Sequence, residues 1–341
     1  MEKTLNLNET QWFVNPWVDI IFLAGFPIVL IVPFICYLYL KNPHLAYYGY
    51  LVSNFPHVLS GLAIIYLSSQ EYKKKPLLFL GMPLFFFIAT AVLFTLGHSF
   101  IIGTTRFYWG QWHIVIQFLY ILQLYKLRNH EHLRIDKIID TLAIIAGPSH
   151  IVFRNLYGMQ LRFGIKSAFG ISMHRQLLIF PIILTQLIVA VFLLRQAYLF
   201  IRWKKISPFK IILVAMAIFD YYFPLTFFPS LGIRNFGLMN QGIIIFHNLQ
   251  YTVWVWFCLR QRFREGTVKE AKALSYLSQP HRVALYFFVL FFISIAFNFI
   301  VSKVVGFRYH YRIIIPALAY IHFFLDGRFW NVSKFNSIVN V

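Results

Sequence analysis

Residues 318–330 read LAYIHFFLDGRFW, an apolar run broken by His322 and Asp326, which stand four apart. That spacing sets an imidazole and a carboxylate on one face of an α-helix. Neither group has bulk water at the depth such a run implies, so each needs a hydrogen-bond partner, a metal or a cofactor. The segment therefore reads as a membrane helix whose polar stripe faces a protein interior. Three further runs repeat the pattern: FPHVLSGLAIIY around His57, QWHIVIQFLYIL around His113 and IIIFHNLQYTVWVW around His247. One intramembrane histidine is commonly a helix-to-helix hydrogen bond. Four of them, with the carboxylates Asp220 and Asp326 on comparable runs, point to one convergent polar centre inside a helical bundle.

The composition agrees with a membrane setting. The 341 residues are 59% hydrophobic and 12% charged, whereas a soluble domain carries about 25% charged residues. An aromatic share of 20% suits lipid contact and interfacial belts. A formal charge of +20 invites a nucleic-acid reading. The basic residues sit in short loops between apolar runs, which excludes that reading. The N-terminal stretch MEKTLNLNETQWFVNPW lacks the short apolar core and small-residue cleavage pattern of a removable signal. Cys36 and Cys258 fall toward opposite membrane faces, so no disulfide between them is expected.

With roughly 20 apolar residues per span, about ten candidates emerge: 19–40, 44–69, 77–99, 107–126, 137–153, 176–200, 209–229, 237–259, 282–303 and 311–330. The fold class expected is all-α, a polytopic bundle forming a single integral membrane domain over residues 1–341. The weakest span, 137–153, carries Asp140 and Gly147-Pro148. Keeping it gathers the basic stretches 126–137, 202–210 and 259–281 on one face, which the orientation rule makes cytoplasmic along with both termini. Residues 154–175 read as an outer interfacial linker, and 260–281 as a cytoplasmic loop with a short helix. The localisation expected is a multi-pass protein of the bacterial inner membrane, with membrane lipid and a hydrophobic small molecule as partners and no nucleic acid.

Local companions sharpen the site. His113 and Gln117, and His247 and Tyr251, are also four apart, and Gln250 lies three beyond His247. A metal-bound imidazole normally passes its other nitrogen to a carboxylate, amide or carbonyl. His57, His113, His247 and His322 are thus candidate metal ligands. Asp220, Asp326, Gln117, Gln250 and Tyr251 are candidates to orient them or move protons, and Asn54 could serve His57. His98, His150 and His174 lie near the outer interface, His44 and His310 begin spans there, and Arg154 and Arg162 suit lipid phosphate. No mid-span lysine supports a retinal Schiff base, and neither a CxxCH haem attachment nor paired histidine boxes occur.

Isolated His57, His113, His247 and His322 on separate apolar helices resemble the bacterial Brp/Blh family of membrane carotene-cleaving dioxygenases. The similarity covers four positions and no continuous motif, and the chain departs from the family in its extra spans and in the His322/Asp326 pair. The resemblance implies a non-haem iron held by imidazoles beside a lipid-soluble substrate. The residues alone suit Fe(II), zinc or copper. Three functions stay open at this point: a metal-dependent, iron-using oxidoreductase or oxygenase acting on an isoprenoid or fatty-acyl substrate, a transporter or channel with the same His/Asp midplane site, and a bis-histidine haem protein.

Overall fold

The computed structural model of the protein describes residues 12–25, 43–67, 73, 75–129, 131, 133–163, 179–203, 207–230, 236–263, 266 and 268–329. Pro27, Pro33, Cys36 and His174 fall outside them, as do the side chains of His44, His150, Arg154, Arg162, Asp220 and Pro224. Every described element is helical. In chain order the main helices are α1 (Pro43–Tyr66), α2 (Pro76–Thr95), α3 (Ser99–Arg128), α4 (Arg134–Phe163), α5 (Ile179–Trp203), α6 (Pro208–Ser230), α7 (Phe236–Arg262), α8 (Lys272–Leu277), α9 (Val283–Val305) and α10 (Ile315–Phe329). π-Helical turns, Asp19–Leu23 and His310–Ile314, interrupt the regular pattern. The short helix expected in 260–281 is α8, while 154–163 continues α4 without a break past Pro148.

Among the described residues, three helices are long and apolar enough to cross a membrane: α2, α5 and α9 with the turn before it. Between 17% and 22% of their apolar windows is buried, and side chains such as Leu84, Leu187, Phe288 and Phe299 are exposed. α1, α3, α4 and α7 run 24, 30, 30 and 27 residues, ample for a span of roughly 20. Their histidines, glutamines and charged residues lower the mean hydropathy that marks the other three.

The chain divides into two compact units, Met1–Phe34 with Phe118–Ile243 and Ile35–Gln117 with Ile244–Val341. In the first, α4 packs against α5 and α6. Gly147 allows the closest approach, since a Cβ there would meet the Ala217 carbonyl at 2.9 Å. Asp140, the residue that weakened the fifth span as a sequence, is neutralised by Lys126 at 2.5 Å, with Lys210 at 3.7 Å. Lys210 also donates to Glu131 at 2.7 Å. Lys126 and Lys210, counted above with the loop cations, are therefore buried ion-pair partners.

In the second unit α1 packs on α9 and α10, and α10 also on α2. One apolar cluster joins Ile64 of α1, Val255 and Leu259 of α7, Leu274 of α8 and Leu290 of α9; another joins Phe79 and Phe86 of α2 to Tyr320, Ile321 and Leu325. The turn between α2 and α3 fixes where α3 starts. Gly97, at φ +81°, donates to Phe94 while His98 donates to Leu93, the paired bonds of a Schellman stop. α3 thus begins at Ser99, eight residues before the span read from hydropathy, and His113 falls at its middle.

Candidate metal centre

Four helices of the second unit deliver the site. α1 supplies His57 beside Pro56, whose missing N–H leaves the Val52 carbonyl without its helical donor and loosens the ladder there. The Ser60 hydroxyl donates to the His57 carbonyl at 2.8 Å. Asn248 of α7 donates to Ser53 of α1 at 3.1 Å, one residue from the Asn54 expected to serve His57. α3 carries His113 and Gln117, α7 carries His247, Gln250 and Tyr251, and α10 carries His322 and Asp326.

The histidines meet. His57, His113, His247 and His322 are all buried, at 2%, 7%, 3% and 1% exposure. Ring centroids are 4.3 Å apart for His57 and His322, 4.8 Å for His57 and His247, 4.8 Å for His113 and His322, and 5.0 Å for His113 and His247. His57, His113 and His322 could hold a metal ion, each offering a nitrogen within 4.8 Å of the others. The His113 and His322 Nε2 atoms stand 3.2 Å apart. Two nitrogens each about 2.1 Å from a tetrahedral cation lie about 3.4 Å apart, so this separation suits a shared ion.

A neutral imidazole pair can also share one hydrogen bond, and that alone would explain the 3.2 Å contact. It would leave His57 Nδ1, His322 Nδ1 and both nitrogens of His247 buried with no hydrogen-bond partner among the described residues. An unpaired buried polar group costs about 1–3 kcal/mol, and four at one point are a large unrelieved cost. A cation held by His57, His113 and His322 would take up a lone pair from each of the three rings, while His247 lies outside that group.

Asp326 splits its carboxylate between two tasks. Oδ1 accepts a hydrogen bond from the Tyr251 hydroxyl at 2.7 Å. Oδ2 faces the imidazoles, 3.5 Å from His322 Nε2 and 3.7 Å from His113 Nε2. The glutamines proposed to orient histidines bond each other, with Gln117 Nε2 donating to Gln250 Oε1 at 2.5 Å. Asp220 belongs to the first unit.

Gly61 is a site residue that the sequence reading passed over. It lies four after His57, on the same stripe of α1. A Cβ there would come 2.6 Å from Tyr251 Oη, 3.0 Å from His322 Nδ1 and 3.4 Å from Asp326 Oδ1. The only advance signal was a glycine one turn from a buried histidine. Gly61→Ala is expected to push Tyr251 off Asp326 and weaken metal binding by roughly the 10–100-fold typical of losing a group that orients a ligand. Gly110→Ala is the control, because its Cβ would meet Phe323 at an ordinary 3.5 Å. Metal titration of both variants reads the difference.

A pocket of about 100 Å³ reaches this centre, lined by Trp109, Trp112, His113, Ile116, Gln117, Phe323, Asp326 and Gly327. His310, expected at a surface, is buried at the start of its π-turn, with its ring 6.3 Å from that of Phe55. Comparison with protein-family models, curated proteins and solved structures finds no match. The reading of the chain accordingly rests on its own side chains: three buried histidines able to hold a metal, a fourth imidazole against them, and a carboxylate shared between that group and a tyrosine.

Proposed function

We propose that the protein is a membrane-embedded, metal-dependent oxidoreductase or oxygenase, using dioxygen on a hydrophobic lipid or isoprenoid substrate, with iron at the histidine centre. The observation that carries this is the meeting of His57, His113, His247 and His322 with the Asp326 carboxylate in a buried space. Two imidazoles and one carboxylate with open positions are the donor set of non-haem Fe(II) oxygenases, and His113, His322 and Asp326 offer that set. The bound metal would supply oxygen activation. Tyr251 keeps Asp326 turned toward the imidazoles and can pass it a proton, while the Gln117–Gln250 bond ties α3 to α7 beside the site. Haem is poorly served, because a porphyrin needs a flat slot between its two axial rings and the remaining imidazoles stand where that slot would be.

In this reading the chain crosses a bacterial inner membrane about ten times with both termini cytoplasmic, and the long polar helices α1, α3 and α7 are spans shielded by the apolar ones. The resemblance to Brp/Blh-type dioxygenases points the same way. Metal analysis and an optical spectrum of protein purified in lipid nanodiscs test it. One iron per chain, held through dialysis and without a Soret band, is the expected result. A Soret band, a weakly held exchangeable ion as in a transporter, or no metal after reconstitution would each overturn the proposal.

A further inference from the structure

The pocket beside the histidines suggests what reaches them, an inference that rests on the metal-enzyme reading. Its walls are the apolar faces of Trp109, Trp112, Ile116 and Phe323, and its floor is polar, made by His113, Gln117 and Asp326. Its mouth lies where α10 passes Gly327, which is exposed, and where Trp112 stands 54% exposed on α3. A Cβ at Gly327 would meet nothing within 4 Å. An apolar cavity of about 150 Å³ is enough for benzene. At about 100 Å³ this pocket is smaller than that cavity.

We propose that the pocket is a lateral portal from the bilayer that admits the free end of a linear hydrocarbon chain and brings it to His113 and Asp326. A slender chain end fits this space more readily than a ring end does. Aromatic walls suit a slender chain, since flat rings enclose it with dispersion contacts. A lipid head group is larger than this space and stays outside. Two sources share this chemistry, a phospholipid acyl tail and a free long-chain alcohol.

Photo-crosslinking in nanodiscs tests this. Three probes are compared: a phospholipid with a diazirine at the acyl terminus, a long-chain alcohol with the same tip, and an alcohol ending in a diazirine-bearing cyclohexyl ring. Mass spectrometry then maps the adducts. Expected are adducts within 109–117 and 323–327 from one or both linear probes, at least fivefold above the ring-ended probe. Gly327→Trp, which fills the mouth from a position with room for a side chain, should abolish them while leaving metal content unchanged. Which linear probe labels the pocket identifies the source. Labelling spread over exposed residues such as Leu84 and Phe288 without enrichment at the pocket, equal labelling by the ring-ended probe, or labelling indifferent to Gly327→Trp would each overturn the portal. Metal content is read on the same samples: metal without pocket labelling sinks this inference alone, and pocket labelling without metal sinks the enzyme reading.

Discussion

His322→Ala protein is expected to purify with its metal reduced to background. His322 stands close to two of the other rings: its centroid lies 4.3 Å from that of His57 and 4.8 Å from that of His113, and its Nε2 is 3.2 Å from His113 Nε2. Removing it takes away one donor and also unseats the pair formed with Asp326 on the same helix face. Three companions make the result specific. His113→Ala should behave alike, because its Nε2 occupies the same position between ring and carboxylate. Tyr251→Phe removes only the hydroxyl that fixes Asp326 and should cost about 10–100-fold in affinity. Exogenous imidazole should restore metal to the His322→Ala protein, since it refills the space with the same donor. A His322→Ala protein that stays folded and keeps its full metal content would show that these rings merely hydrogen-bond one another. Acidification should release the metal from the unaltered protein, because protons compete for the same lone pairs.

Much of this centre was legible because helix periodicity is strict. His322 and Asp326, or His247 and Tyr251, must share a face if the segment is helical, and a buried imidazole without a partner is too costly to leave scattered. What the period cannot supply is the identity of the partner across the gap. Gln117 and Gln250 look, along their own helices, like companions of His113 and His247, yet they bond each other across 133 positions. The start of α3 was placed too late for a local reason. The apolar run suggested that α3 starts near residue 107, but Gly97 closes a Schellman turn and the helix begins at once, so His113 moves to the middle. Gly61 escaped notice because a glycine in an apolar helix leaves no mark until neighbours are placed around the missing Cβ. Of the about ten spans expected, three described helices are apolar enough to cross a membrane, and the helices that carry the centre fall below that mark because the residues that build it are polar.

The same logic governs Asp140, where the second large effect is expected. Asp140→Asn should destabilise the protein by about 3–5 kcal/mol, the usual result of deleting one partner of a buried pair. The Lys126 and Asp140 side chains are 3% and 1% exposed, and the Lys210 side chain is 1% exposed. Without the carboxylate, Lys126 loses its 2.5 Å partner, and Lys210 keeps only Glu131 among the described residues. Glu131→Gln should cost less, because that carboxylate is 23% exposed and water can replace part of what it gives Lys210. The double variant Lys126→Met with Asp140→Leu should recover most of the lost stability, since well-packed apolar side chains often replace a buried ion pair at no net cost. Unfolding titrations in one detergent, read by tryptophan fluorescence, would rank the variants. If Asp140→Asn and Glu131→Gln proved equally mild, or the double variant were worse than either single one, the charges would owe their place to solvation and not to each other.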